Sequence, residues 1–137
     1  MKNIHLEIIT PERVVMEADV DSLILPAFEG RMGVLPGHIK MVVQIIPGEL
    51  AYNIKGRKDY FALGAGFAEI TPRMVRIFVE EASLADEINI EKARQEALEA
   101  QQKIKFVKDL GELKRAEVAL KVAMAKLKIA QTRRPKR

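Results

Sequence analysis

The chain has 137 residues, of which 48% are hydrophobic and 31% charged; this balance excludes wholesale disorder and predicts one globular domain with an appendage. The absence of cysteine excludes disulfide bonds, thiolate metal sites and a cysteine nucleophile. No stretch approaches the ~18 uninterrupted apolar residues of a membrane-spanning helix, and Met1 to His5 lack the apolar region of a secretion signal, so we expect a cytosolic chain.

Charge is divided unevenly along the sequence. Residues 105–137 contain 11 basic against 3 acidic residues, a net +8, whereas residues 1–104 contain 12 basic against 16 acidic residues, a net −4. A basic tail of this kind is often a solvated helix face. The alternatives are a surface for an acidic protein, for nucleic acid or for anionic lipid.

Residues 1–86 carry the pattern of short β-strands. Gly and Pro turn signals recur at roughly 8 to 12 residues, the interval expected for the strands of a sandwich or barrel. Between them apolar side chains alternate, as in Ile4, Leu6 and Ile8, which places them on one face of a strand. We therefore predict an all-β sandwich for residues 1–86.

A β-hairpin is predicted inside this half. The stretches 50–55 and 58–63 flank Gly56 and Arg57, and both read as strands. Glycine permits the positive φ that a tight hairpin turn needs. The turn is therefore expected at Gly56–Arg57.

A helical region, residues 87–137, follows. No Gly or Pro occurs between Asp86 and Gly111, and Asn89 is a good N-cap because its side-chain oxygen can accept from an unpaired backbone N–H. Gly111 breaks the pattern, and a second helix is predicted from about Glu112 to Gln131. Pro135 ends the helical potential of the sequence.

Both predicted helices carry an alanine-rich seam of period 3.5, the repeat that lets two helices pack at a shallow angle. The seams are Ala93, Ala97, Ala100 and Ile104 in the first helix, and Leu113, Ala116, Leu120, Ala123, Leu127 and Ala130 in the second. Alanine buries little, since each buried methyl contributes about 0.8 kcal/mol. We expect an antiparallel helical hairpin that is marginally stable and separable.

The second helix has another apolar stripe, formed by Val118, Val122, Ala125 and Ile129. A two-helix hairpin cannot bury both the seam and this stripe. The stripe either packs against the body of the same chain or is kept for a partner. If the loop straightened, residues 90–131 would form one helix about 60 Å long, a plausible mechanical switch.

One run of residues resembles the signature E-G-x-x-G-V-L-P-G-H of the epsilon subunits of rotary F-type ATP synthases. It extends from Glu29 to His38 and reads EGRMGVLPGH. Further matches follow in order at Pro47–Gly48, Gly64–Ile70, Val75–Ile77 and Arg115–Lys121. The resemblance spans essentially the whole chain and implies a sandwich of about ten strands followed by a helical hairpin.

The resemblance also implies a role without catalysis. Epsilon subunits belong to the central stalk, where the sandwich rests against the gamma subunit and the membrane c-ring, at the cytoplasmic face of the cell membrane. There the protein couples proton or sodium flow to ATP synthesis. In this chain Arg31 and Met32 are expected to face the c-ring and His38 to lie toward gamma, although His38 could equally be a turn residue bonded to local backbone.

The tail of an epsilon subunit can rise along gamma toward the alpha and beta subunits and oppose ATP hydrolysis. The residues expected to make these inhibitory contacts are Arg115, Lys121, Val122, Lys126 and Lys128. Exposed ion pairs give only ~0.2 to 1 kcal/mol each, so the apolar stripe must be buried as well.

Some epsilon subunits bind ATP through a motif I/L-D-x-x-R-A. The matching positions here begin Ile88-Asn89 and end Lys92-Ala93, so both polar members differ. Asn89 carries no charge, and Lys92 offers a point charge where arginine offers a bidentate fork. Relatives that bind ATP also use basic residues where this chain has Val122 and Lys126. We expect weak regulatory ATP binding or none, with Asn89 acting as a helix cap.

The sequence bears on two other classes of protein. An enzyme is not expected, because the two histidines lie on separate elements, no metal-ligand spacing occurs, and no glycine-rich phosphate loop is present. A basic-tailed nucleic-acid-binding protein is the alternative, given the closing residues 133–137. With aromatics at 5% and no tryptophan the strands lack stacking platforms, so no nucleic acid partner is expected. Direct membrane insertion is not expected either, and the last five residues are expected to be a frayed, solvated end.

Overall fold

Ten β-strands and two α-helices make up the part of the chain that the computed structural model describes, residues 2–133. The strands are β1 Ile4–Ile9, β2 Val14–Val20, β3 Ser22–Ala27, β4 Gly30–Val34, β5 Met41–Ile45, β6 Gly48–Ile54, β7 Arg57–Leu63, β8 Gly66–Ile70, β9 Met74–Val79 and β10 Ala82–Leu84. A 3-10 turn, Ala85–Glu87, leads into the helices α1 Ile90–Phe106 and α2 Leu110–Thr132. The predicted sandwich followed by a helical hairpin is confirmed.

The strands follow the order β10-β7-β6-β3-β5-β8-β9-β1-β2, and β4 pairs with β3 beside this path. β1 and β9 pair in parallel, with Leu6 opposite Val75, and every other pairing between the described strands is antiparallel. The parallel pair joins the N-terminal strand to the end of the sandwich, so β1 is held between two neighbours.

The sandwich core is built from alternate residues of the strands. Ile4, Leu6 and Ile8 of β1 are fully buried, and Val75 and Ile77 of β9 lie beside them. Each such side chain contributes about 1.5 to 3 kcal/mol when it leaves water. The period-two pattern in the sequence therefore identified the buried face correctly.

The β6–β7 hairpin is present, but the predicted turn is wrong by one residue. Its two turn residues are Lys55 and Gly56, with φ of 50° and 83°, and Arg57 already pairs with Ile54 as the first residue of β7. A two-residue turn of this type needs positive φ at both positions. The Lys55 N–H donates to a carboxylate oxygen of Asp21 at 2.7 Å, which stabilises the non-glycine residue there.

The first helix begins as predicted and the second begins earlier. The Asn89 side chain accepts from the Lys92 N–H at 3.1 Å, and Asp109 caps α2 in the same way, accepting from Glu112 at 3.0 Å. Gly111 lies within the first turn of α2, so its predicted role as the break was wrong. The Asp109 cap sets the start of α2, and residues of a first turn have no intrahelical partner for their N–H groups. Pro135 lies outside the described residues.

The helices form a hairpin around the predicted alanine seams. Ala93, Ala97 and Ala100 of α1 are buried, and so are Ala116 and Ala123 of α2. The larger members of the seams, such as Leu120 and Ile104, are only half-buried. Small side chains therefore dominate the contact between α1 and α2.

The hairpin is docked on the sandwich through the last turns of α2, which contact β6, β7 and the 3-10 turn. Ile129 is fully buried in a cluster with Ala62 of β7, Ala85 and Ile88. Val122 is buried as well, whereas Val118 keeps 40% of its surface exposed. Ile129 of the second apolar stripe thus packs against the body of the same chain, and Ala125 lines a cavity together with sandwich residues.

Gly66 tests the packing of the sandwich. A Cβ at this position would lie 1.9 Å from the Phe78 carbonyl oxygen, because β8 and β9 approach closely there. We expect Gly66→Ala to reduce the free energy of unfolding by about 2 kcal/mol or more in denaturant titrations. Gly33→Ala is the matched control, since no atom lies within 4 Å of its added Cβ. Equal stabilities of the two variants would contradict this packing.

Candidate partner-binding surfaces

The turn between β3 and β4 places Arg31 and Met32 at one end of the sandwich. Arg31 is anchored: its Nη1 donates to the Glu49 carbonyl oxygen at 2.9 Å, and its Nη2 lies 3.8 Å from a Glu49 carboxylate oxygen. About half of its side chain, 47%, remains exposed. Met32 is partly buried against the sandwich core. Of the two predicted c-ring contacts, Arg31 is therefore the more accessible.

The side chain of His38 is hydrogen-bonded to the backbone of the next residue. Its Nδ1 lies 2.8 Å from the Ile39 carbonyl oxygen, so this nitrogen must be the protonated one and donate. This is the local backbone bond that was the alternative for His38. The neighbouring side chains Leu35 and Ile39 are 65% and 73% exposed.

Exposed apolar side chains that the sequence analysis missed lie at two places. Leu35 and Ile39 flank His38 in the loop before β5, and Val42 and Phe67 lie on the sheet formed by β5 and β8. Val42 of β5 and Phe67 of β8 are diagonal neighbours on the outer surface of the sheet, and Phe67 stacks on Phe78 with ring centroids 5.0 Å apart. Exposed apolar groups at this density mark interaction surfaces. The hydrophobic residue facing outward in β5, Val42, was the available signal.

Polar side chains cross the outer surface of β1 and β2. His5 Nδ1 lies 3.0 Å from a carboxylate oxygen of Asp19, and this hydrogen bond raises the pKa of His5. His5, Glu7 and Glu17 offer ligand atoms within 4.8 Å of one another, a spacing that a metal ion could use. However, Arg76 already binds Glu7 at 3.1 Å, and His5 is bonded to Asp19, so two of the three groups are already paired with protein atoms.

The five residues predicted to make inhibitory contacts do not form one surface on the docked hairpin. Arg115, Lys121 and Lys128 are exposed, whereas Val122 and Lys126 are buried. Lys126 Nζ lies 2.7 Å from Glu81, which precedes β10, and 3.7 Å from Glu96 of α1. Lys126 therefore joins α2 both to the sandwich and to α1.

Arg133 makes a second attachment of the tail, and the prediction of a frayed end is wrong for this residue. Its Nε and Nη2 donate to the two carboxylate oxygens of Glu49 at 3.0 and 3.4 Å. Its guanidinium lies 4.6 Å from the centre of the Tyr60 ring, and the hydrogen bond with Glu49 raises the pKa of Arg133. Residues 134–137 lie outside the described residues.

The degenerate ATP motif serves the start of α1. Ile88 and Ala93 are buried, Asn89 caps the helix and Lys92 is exposed. A cavity of about 580 Å³ lies between the helices near their loop. Its lining includes both acids and bases, Glu96, Glu99, Lys103, Glu112 and Arg115, but none of the motif residues. The motif and the cavity are therefore at different places in the hairpin.

Among the helices of residues 2–133, none is long and apolar enough to span a membrane. The chain is a β-sandwich with a docked helical hairpin. The sequence matches the family described as ATP synthase, Delta/Epsilon chain, with its beta-sandwich domain over residues 3–85 and its long alpha-helix domain over residues 86–131. The chain belongs to this family.

Individual relatives agree with this assignment. The chain is 40% identical to the ATP synthase epsilon chain of Herpetosiphon aurantiacus, over 96% of each chain, and 35% identical to that of Nitratidesulfovibrio vulgaris strain DP4, over 93% of this chain and 96% of the relative. Its structure is similar to a chain of the Euglena gracilis mitochondrial ATP synthase, with a TM-score of 0.77, 29% identity, and coverage of 96% and 82%. The alternative of a nucleic-acid-binding protein finds no support in these comparisons.

Lys126 allows a test of how the tail is attached. Lys126→Ala removes the cation between Glu81 and Glu96 and leaves the two carboxylates facing each other. Because both acids are partly exposed, we expect a loss of about 1 kcal/mol in the free energy of unfolding of the helices, measured by circular dichroism at 222 nm. Lys121→Ala, on an exposed part of α2, is the control. A Lys126→Ala variant as stable as that control would show that the ion pairs do not hold the hairpin.

The changed ATP motif leads to a separate prediction. We expect isothermal titration of the full chain with ATP to give no micromolar binding, because Asn89 and Lys92 lack the charge and the bidentate geometry of the motif. The double variant Asn89→Asp/Lys92→Arg restores both groups and retains a capping side chain at residue 89. Tighter binding by this variant is expected, and micromolar binding by the natural chain would refute the prediction.

Proposed function

We propose that the chain is the non-catalytic epsilon subunit of an F-type ATP synthase, which couples ion flow to ATP synthesis and restrains ATP hydrolysis with its helical tail. The observation that carries the proposal is the way the tail is docked. α2 is held by a small apolar contact around Ile129 and by the ion pairs of Lys126 and Arg133. In this position Val122 and Lys126 of α2 are buried. A segment held in this way can be released without unfolding the sandwich.

The sandwich is proposed to be the rotor-binding part, with residues 1–86 as one unit and residues 87–137 as the other. The apolar face around Val42 and Phe67 fits the gamma subunit, because exposed apolar groups of this kind are buried in stable subunit contacts. The exposed half of Arg31, at the end of the sandwich, fits the polar loop of a c subunit. The related Euglena chain comes from an assembly whose description includes the c-ring.

This arrangement makes the chain a peripheral component of the complex at the cytoplasmic face of the cell membrane. The c-ring supplies the contact with the membrane. The chain contacts the c-ring through the β3–β4 hairpin, which carries Arg31. Coupling then depends on the sandwich gripping gamma and the c-ring together, so that both turn as one rotor.

In the inhibitory state α2 leaves the sandwich and contacts the alpha and beta subunits. Undocking adds Val122 and Lys126 to the residues already exposed, Arg115, Lys121 and Lys128. Burial of Val122 against a partner contributes about 1.5 to 3 kcal/mol, and each exposed ion pair adds ~0.2 to 1 kcal/mol. Several such contacts together can oppose rotation without any bond-making chemistry.

The contacts of Lys126 support the proposal that the two states exclude each other. In the docked tail its ammonium group is occupied by Glu81 and Glu96. In the raised tail the same group is available to a carboxylate of the beta subunit. The cation therefore changes partners between the states, and its desolvation is compensated in both, so the energy difference between them stays small.

Removal of the tail tests the proposal. Truncation after Glu87 is expected to leave a sandwich that still binds gamma, while ATP hydrolysis by the reconstituted complex rises several-fold because the obstruction is gone. The measurement is steady-state hydrolysis together with co-purification of gamma.

A matched variant separates lost obstruction from lost assembly. Lys121→Ala/Lys128→Ala changes two side chains that are exposed on the docked tail, and it should raise hydrolysis by a smaller factor with gamma binding unchanged. If the truncated chain binds gamma normally and hydrolysis stays at the level of the full-length chain, the tail is not a brake.

A further inference from the structure

Glu49 of β6 is contacted by two arginines that come from opposite parts of the protein. Arg31 belongs to β4 and Arg133 follows the end of α2. Arg133 occupies both carboxylate oxygens, and Arg31 Nη2 lies 3.8 Å from Oε1, the oxygen that Arg133 Nη2 contacts at 3.4 Å. The Glu49 side chain is only 15% exposed, so solvent screens these interactions weakly.

The surroundings of Glu49 show that the β3–β4 hairpin and the tail meet at this point. A cavity of about 320 Å³ is lined by Gly30 and Arg31 at the start of β4, by Glu49, and by Ala125 and Lys128 of α2. Glu49 is the acid in this lining, against the two bases Arg31 and Lys128. With Arg133 bound to the same carboxylate, positive charge exceeds negative charge around Glu49.

We propose that Glu49 is a shared acceptor that couples the β3–β4 hairpin to the docking of the tail. Arg31 and Arg133 both place positive charge beside its carboxylate, so a partner that draws Arg31 away removes the repulsion between the two guanidinium groups and holds α2 more tightly. The partner group is a carboxylate or carbonyl oxygen presented to the exposed half of Arg31. Only the identification of this group with the rotor rests on the proposed function.

The direction of the coupling follows from the contacts. Arg31 has a second anchor, the Glu49 carbonyl oxygen at 2.9 Å, and therefore does not depend on the carboxylate for its position. Arg133 has its bidentate bond to the carboxylate and the face of Tyr60. Two guanidinium cations beside one carboxylate repel each other, so removing or neutralising Arg31 strengthens the remaining pair.

Hydrogen–deuterium exchange of the isolated full-length chain tests the coupling without ATP synthase activity. Amides of α2 report undocking, and amides of β1 and β9 report whether the sandwich stays folded. We expect Glu49→Gln and Arg133→Gln each to speed exchange in α2 by about three- to fivefold, the effect of losing one ion pair. Arg31→Gln is expected to slow it by about twofold. Glu12→Gln and Arg57→Gln, at exposed positions, are the matched controls and should leave α2 unchanged.

A double variant shows whether Arg31 acts through Glu49. In the Glu49→Gln background Arg31→Gln should no longer slow exchange, because the shared carboxylate is gone. Faster or unchanged exchange in α2 on Arg31→Gln alone, with the sandwich amides unaffected, would overturn the coupling. Unchanged exchange on Glu49→Gln would overturn the attachment itself. Neither result bears on hydrolysis by the complex, so failure here and failure of the proposed function are distinguishable.

Discussion

The docking of α2 on β6 and β7 is the contact on which the behaviour of this protein depends. Its centre is Ile129, fully buried among Ala62, Ala85 and Ile88. Because three of its five buried residues within residues 2–133 are alanines, the apolar contribution is limited to about 0.8 kcal/mol for each additional methyl group. The alanine seam between α1 and α2 has the same limit. The hairpin is therefore ordered on the sandwich by contacts that are individually weak.

Ion pairs add to the weak apolar contact that attaches α2 to the sandwich. Lys126 joins α2 to Glu81 and Glu96, and Arg133 joins the end of α2 to Glu49. Such pairs specify geometry more than they add stability, since the gain from attraction is offset by the loss of hydration. They also have a property that apolar contacts lack: a cation can exchange one carboxylate for another.

The sandwich is the rigid part of the protein on which α2 docks. Its core of Ile, Leu and Val side chains is close-packed, and the parallel pairing of β1 with β9 ties its first strand to its end. The apolar face at Val42 and the β3–β4 hairpin that carries Arg31 are thus held at fixed positions. Glu49 lies on β6, so one strand of the sandwich contacts both Arg31 of β4 and Arg133 at the end of α2.

Local physics made much of this fold readable from the sequence. Alternation such as Ile4, Leu6, Ile8 identifies a strand because successive side chains point to opposite faces, and Asn89 identifies a helix start because its cap involves residues three apart. The alanine seams could be predicted because their period of 3.5 residues is also a short-range pattern. The turn at Lys55 and the start of α2 were missed because they depend on single hydrogen bonds, from the Lys55 N–H to Asp21 and from the Glu112 N–H to Asp109.

The surfaces were less predictable than the fold. The residue types suited to partner contacts could be named, but Val122 and Lys126 proved to be covered while Lys121 stayed exposed, and exposure depends on which helix face the sandwich meets. The bond between Arg133 and Glu49 joins residues 84 positions apart. The sequence by itself determined the strands, the helices and the charge of the tail, because these follow from short-range periods and composition. Only the tertiary structure decided which charges are paired and which apolar side chains are free, because pairing requires distant segments to be brought within hydrogen-bond distance.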